Sequence, residues 1–218
     1  MKLKICGMHH NITEVAALKP DYLGFIFWEP SSRYFSGKIP NIPKSIKKTG
    51  VFVNASITSV LHHIIDHQLD GVQLHGQESA AYVTLLKQAL FEVKVKETLV
   101  AENPFEIIKV FSLLDSFDFS LLKPFEDVCD YFLFDTKGKL PGGNGHTFDW
   151  SILTDYPSEK QYFLSGGIGL KSVAKIRNFL KDPASKYCYA IDVNSGFEDE
   201  PGLKNIKALR DFKEELSI

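Results

Sequence analysis

Eight short apolar, β-prone runs recur along this chain, and no other feature narrows its possible folds so far. They are Leu3–Cys6, Tyr22–Phe27, Val51–Val53, Val72–Leu74, Ile107–Phe111, Tyr131–Phe134, Tyr162–Leu164 and Tyr189–Val193. Each is nearly continuous in apolar residues and closes on a polar residue or a glycine. Strands buried on both faces of a parallel sheet read this way, whereas half-exposed antiparallel strands alternate. Helical stretches with start signals lie between them. Ser56 and Thr58 precede Val60, Leu61, Ile64 and Ile65; Glu78-Ser79 opens Tyr82, Leu85 and Leu86; Pro201-Gly202 introduces Leu203, Ile206, Leu209, Phe212 and Leu216. Eight strand-plus-helix units in 218 residues take about 27 residues each, the economy of a closed barrel. No linker or low-complexity tract interrupts the series. The expected fold is therefore α/β, a single (β/α)8 TIM barrel with a parallel eight-stranded core, residues 1–218 forming one domain.

One stretch resists this count. Phe91-Glu92-Val93-Lys94-Val95-Lys96 alternates like a strand. Either it is the fifth strand and Ile107–Phe111 is helical, or the segment up to Pro104 is an insertion before the true fifth strand. The second reading is preferred, because Ile107–Phe111 is more apolar and leaves room for a helix before Tyr131.

Charge and cysteine content exclude several classes. Twenty-five Lys+Arg against 27 Asp+Glu leave −2, so there is no basic footprint for nucleic acid. No apolar run approaches the ~18 residues of a membrane span. The start, Met1-Lys2-Leu3-Lys4-Ile5, reaches Gly7 without the apolar region of a signal peptide. Three cysteines, Cys6, Cys129 and Cys188, are too few and odd in number for a disulfide framework, which argues for a reducing, cytoplasmic setting. A cytosolic enzyme or small-molecule binding protein is expected, monomer or homodimer, since a barrel's helical exterior can serve as surface or as dimer contact.

In parallel α/β folds chemistry collects where the strands end. Those positions are Cys6-Gly7, Glu29 to Arg33, Asn54, His75-Gly76, Ser112, Asp135-Thr136, Ser165-Gly166-Gly167 and Asp192-Val193-Asn194-Ser195-Gly196. Glycines after the seventh and eighth strands let backbone N–H groups approach an anion, and a helix start beyond Gly169 favours phosphate. A phosphorylated small molecule is the expected ligand; the plain alternative is two tight turns that need glycine. Cys6, beside Gly7, is read as an exposed rim thiol whose thiolate can act as base or nucleophile, against the alternative of a small core filler. Cys129 and Cys188, before or at the base of strands, are fillers. Asp135 leaves an apolar strand into the barrel mouth, where burial raises a carboxyl toward the range a general acid needs; it can equally cap a helix. Residues Lys137–Gly145 hold four glycines and read as a mobile loop over the site. Arg33 offers a fork that matches a carboxylate, though by spacing alone it reads as a surface arginine. His75 can bond a substrate or cap its strand. His9-His10 and His62, His63, His67 have no Cys or carboxylate at ligand spacing, and the latter three suit a solvated helix face, so no metal is expected.

Taken together these motifs resemble those of the phosphoribosylanthranilate isomerase family. They are Lys4-Ile5-Cys6-Gly7-Met8, Gly24-Phe25-Ile26-Phe27 with Ser32-Arg33-Tyr34, and Gln73-Leu74-His75-Gly76. Phe134-Asp135-Thr136, Gly142-Gly143-Asn144-Gly145, Phe148-Asp149-Trp150, Ser165-Gly166-Gly167-Ile168 and Asp192 through Glu198 complete the set. The resemblance spans nearly the whole chain in order. It departs from the family at Trp28-Glu29-Pro30-Ser31, where a lysine and proline are commoner. What it implies is the barrel, the isomerisation step of tryptophan biosynthesis, and no cofactor or metal. It further implies Cys6 as general base, Asp135 as general acid, Arg33 on the anthranilate carboxylate, and Gly166, Gly167, Asp192 and Ser195 around the phosphate; His75, Asn194 and Gly196 belong to the same substrate-binding set. Two rivals share the glycine strand ends: another ribose-phosphate barrel enzyme, and a non-catalytic sugar-phosphate binder.

Overall fold

The computed structural model of the chain describes residues 1–97, 105–114, 116–136 and 148–218. Its eight barrel strands are β1 (Lys2–Ile5), β2 (Tyr22–Ile26), β3 (Lys47–Phe52), β4 (Gly71–Leu74), β5 (Glu106–Leu113), β6 (Tyr131–Thr136), β7 (Tyr162–Leu164) and β8 (Cys188–Val193). They pair in chain order, all parallel, and β8 returns to β1 to close the barrel. Each of the eight apolar runs falls on one of these strands, with Cys6, Phe27 and Val53 one residue past the strand ends. Phe91–Lys96 is not a strand: it belongs to a helix, Ala80–Glu97, and Ile107–Phe111 lies in β5 as preferred. Residues 98–104 of the suspected insertion, and the glycine-bearing loop 137–145, lie outside the described residues.

The helices depart from one per strand. They are α1 (Ile12–Ala17), α2 (Ile57–His67), α3 (Ala80–Glu97), α4 (Val173–Phe179) and α5 (Ile206–Leu216). No helix follows β2, where Pro30, Gly37, Pro40 and Pro43 interrupt any helical hydrogen-bond ladder. After β5 and β6 the described residues form 3-10 turns, Phe119–Phe125 and Trp150–Asp155, the first containing Pro124. Ser56 caps α2 by accepting from the Ser59 N–H at 3.2 Å. In α3 the buried stripe is Val83, Leu86 and Leu90, while Leu85, expected on it, is exposed. The helix expected from Leu203 starts later, at Ile206 under an Asn205 cap. Leu203–Lys204 instead forms β10, paired antiparallel with β9 (Glu198–Glu200) around Pro201-Gly202. Asn205 fixes the helix start by accepting from the Ala208 N–H at 2.8 Å, so Leu203 and Lys204, which precede this N-cap, are left to pair with β9.

Strand alternation sorts side chains into two layers. Leu3, Ile5, Leu23, Phe25, Leu74, Phe132, Phe134, Ile191 and Val193 face outward and pack under the helices in the larger core. Residues of opposite parity point into the barrel. Tyr22, Ile108, Val110, Leu133, Phe163 and Ala190 form an apolar floor there. Inward positions on β1, β3 and β4, and those beyond the floor on β6 and β8, are polar: Lys4, Thr49, Gln73, Asp135 and Asp192 are all buried. The barrel interior therefore changes from aromatic packing at one end to hydrogen-bonding groups at the C-terminal end. That gradient places the site.

Candidate active site

A cleft of about 680 Å³, counting its open mouth, sits on the C-terminal face. Cys6, Arg33, His75, Asp135, Gly166, Gly167, Asp192, Asn194, Ser195 and Gly196, drawn from six different strand ends, all line it. The fold thus brings the ten residues assigned to catalysis or substrate binding into one cavity, while the strand-end candidates Asn54 and Ser112 are not in its lining.

Cys6 closes β1 with its N–H donating to the Val193 carbonyl at 2.8 Å. It is not an exposed rim thiol: only 4% of it is accessible. Gly24 across the sheet makes room for it, since a Cβ there would stand 2.7 Å from Cys6 Sγ. Burial pushes the Cys6 thiol up, and the nearby Lys4 charge pulls against that shift. Lys4, two residues earlier on the same face of β1, is fully buried and bonds Asp192 Oδ1 at 2.8 Å. Burial raises the Asp192 carboxyl against the pull of Lys4. Its second oxygen takes the Ser165 hydroxyl at 3.3 Å.

Asp135, the last residue but one of β6, has its Oδ1 accepting from the Thr136 N–H at 2.8 Å, and its Oδ2 lies 3.4 Å from His75 Nε2. Gln73, below His75 on β4, has its Nε2 3.3 Å from His75 Nδ1, and its buried Oε1 has no partner among the described residues. At the β7 and β8 ends, Gly166 (φ 93°) and Gly167 (φ 63°) both adopt a left-handed backbone that other residues rarely hold. A side chain at Gly166 would also strike the Thr136 amide. Among the described residues no hydrogen bond reaches the N–H groups of Gly166, Gly167, Ser195 and Gly196, so four backbone donors stand around one corner. On the other side Ile26, Trp28, Val51 and Val53 give the cleft an apolar wall beside Arg33.

Sequence reasoning missed several members. Lys4 carried a readable signal, because a lysine inside a strand buried on both faces needs a buried anionic partner. Glu198 and Lys204 lay hidden behind Pro201-Gly202, which read as a helix start. Expectation also failed for two histidines. His63 and His67 face inward, with Phe27 at ring-centroid distances of 4.3 and 5.0 Å, so only His62 fits a solvated face. Among the described residues no group of three or more His, Cys, Asp or Glu is arranged to hold a metal ion. None of their helices is long and apolar enough to cross a membrane.

Barrels of this architecture carry their chemistry on the face where the strands end. A buried thiol, a carboxyl, an arginine and open backbone donors around one cleft there define a barrel enzyme acting on a small anionic molecule. The particular family follows from comparison with known proteins. The model of the family described as N-(5'phosphoribosyl)anthranilate (PRA) isomerase matches residues 3–215, and the chain belongs to that family. The N-(5'-phosphoribosyl)anthranilate isomerase of Parabacteroides distasonis is 40% identical over 225 residues, covering 99% of this chain and 93% of that relative. Among solved structures, phosphoribosyl anthranilate isomerase from Thermus thermophilus superposes with a TM-score of 0.76 at 22% identity, covering 100% of this chain and 98% of that one. Another isomerase structure, a complex with reduced 1-(o-carboxyphenylamino)-1-deoxyribulose 5-phosphate, gives a TM-score of 0.69 at 23% identity over 100% and 98% of the two chains. These structures share the fold. The protein is an isomerase of tryptophan biosynthesis.

Proposed function

We propose that this cleft converts N-(5-phosphoribosyl)anthranilate to 1-(2-carboxyphenylamino)-1-deoxyribulose 5-phosphate, an Amadori rearrangement run by Cys6 and Asp135 as general base and general acid. One observation carries the reading. Cys6 on β1 and Asp135 on β6 open on the same cavity, between the Arg33 side at β2 and the backbone donors at β7 and β8. An elongated substrate with a carboxylate at one end and a phosphate at the other fits that order.

The steps follow from the positions. The phosphate sits against the N–H groups of Gly166, Gly167, Ser195 and Gly196. The aryl ring lies on Ile26, Trp28, Val51 and Val53, with its carboxylate on Arg33. Asp135 gives its proton to the furanose ring oxygen as the C1–O bond breaks, leaving a protonated Schiff base. The Cys6 thiolate then takes the C2 proton, and the C2–H electrons form the C1–C2 double bond of an enolamine. Proton return to C1 and loss of the C2 hydroxyl proton give the ketose. Each proton transfer contributes about 10²–10⁴-fold. Anchoring both ends holds C2 against the thiolate, the orientation term of the rate. Asp192 and Asn194 belong to the substrate-binding set at the same corner; the Asp192 carboxylate accepts from Lys4 and the Ser165 hydroxyl, and Asn194 Oδ1 accepts from Lys204. The 1–218 chain acts as one barrel unit on a small phosphorylated molecule, alone or as a homodimer, without nucleic acid. Three free thiols suit the cytoplasm.

The test is loss of phosphoribosylanthranilate fluorescence on adding purified protein. Protein-dependent decay is expected, and decay at the uncatalysed rate would overturn the reading.

A further inference from the structure

Arg33 is already engaged on one edge. Its Nε donates to both carboxylate oxygens of Glu198, at 3.0 and 2.9 Å, and its Nη2 donates to Oε2 at 2.6 Å. Glu198 is fixed in turn: its Oε1 accepts from Lys204 Nζ at 2.6 Å and from the Gly202 N–H at 3.2 Å. The Lys204 side chain is 0% exposed and also reaches Asn194 Oδ1 at 2.8 Å. Burial would push the Glu198 carboxyl up, but the bond from Arg33 and the Lys204 charge more than offset it, holding Glu198 below the usual carboxylate range and ionised. The β9–β10 hairpin, far from β2 in sequence, thus carries a charged clamp for one arginine.

The clamp is directional. It occupies the Nε–Nη2 edge and leaves Nη1 with the outer Nη2 proton, a pair of parallel donors matched to a second carboxylate. The contact of Nη1 among the described residues is Ser32 Oγ at 3.4 Å, near the limit of a hydrogen bond.

We propose that Glu198, backed by Lys204, is the positioning residue that aims Arg33, so that the substrate's aryl carboxylate meets a guanidinium already fixed in direction. The inference rests on the reading of Arg33 as the aryl-carboxylate anchor. Glu198 makes no substrate contact; it spares the arginine's side-chain entropy on binding. Were Glu198 instead a competitor for the same donors, its removal would tighten binding, which gives the proposal a sign to be judged by.

Steady-state kinetics of the full chain carrying E198Q, R33A and both together test it, with circular dichroism confirming the fold of each. E198Q is expected to raise KM about tenfold while kcat changes less than about threefold, since binding is lost rather than chemistry. The double variant is expected to match R33A, because Glu198 acts through Arg33. An E198Q KM at or below the wild-type value overturns the proposal, as does a double variant whose KM exceeds that of R33A by the whole E198Q factor. An unchanged KM in R33A removes the Arg33 reading and the proposal with it, whereas a raised KM in R33A alone removes only the proposal. Should E198Q not fold, E198D, which keeps the charge but draws it back by one methylene, replaces it, with an intermediate KM expected and a wild-type KM contradictory.

Discussion

His75 Nε2 and Asp135 Oδ2 face each other across 3.4 Å in the wall of the cleft, too far for a good hydrogen bond and close enough to share one ligand atom. The Gln73 amide nitrogen lies 3.3 Å from His75 Nδ1; in the tautomer where that ring atom accepts, Nε2 carries the proton and points an N–H at Asp135 Oδ2. His75→Ala is expected to lower kcat/KM by about tenfold or more, and His75→Gln, which can still donate, to recover part of it. Steady-state rates of the two variants check this, and wild-type kinetics in His75→Ala would contradict it.

Lys4 and Asp192 form a buried ion pair with side chains 0% and 5% exposed. Removing one partner of such a pair leaves the other charge, or its neutralisation, as a cost of about 3–5 kcal/mol. Lys4→Met should lower the unfolding free energy by that amount in urea titrations, and Lys4→Met with Asp192→Asn should restore a large part. Equal destabilisation of the single and double variants would refute the pairing as the cause.

The thiols should separate by pH. Burial raises Cys6 above its ordinary value against the pull of Lys4, so its thiolate, the form that alkylates, grows as pH rises. Iodoacetamide labelling of Cys6 is expected to increase through a midpoint above the roughly 8.5 of a free thiol, and to be slowed by the reduced product analogue. Burial pushes Cys129 and Cys188 up to about 12, so neither should compete at pH 9. Peptide mass mapping of the label reads the outcome; a Cys6 midpoint below the free-thiol value would be contrary.

Much of this architecture is legible because strand burial writes itself as apolar runs. Leu3–Cys6 through Tyr189–Val193 mark all eight strands, and their ends name ten cleft residues. The number of helices is less legible. Pro30, Pro40, Pro43 and Pro124 break helices where an average repeat length suggests them. What sequence hides most is the long-range partner. Nothing near Arg33 announces Glu198, and nothing near Cys6 announces Asp192, which meets Lys4 through β8 closing on β1. The burial of Cys6 is hidden for a related reason: its shielding comes from β2 and β8, while its own neighbourhood suggests only a strand end beside a glycine.

The proposed base and acid, Cys6 and Asp135, line the same cleft from β1 and β6. Turnover of Cys6→Ala and Asp135→Asn, each measured beside the dissociation constant for the reduced product analogue, separates chemistry from binding. A kcat about 10²–10⁴-fold below wild type is expected in both variants, with analogue binding changed only a few-fold. Near-normal turnover in either folded variant would contradict these roles.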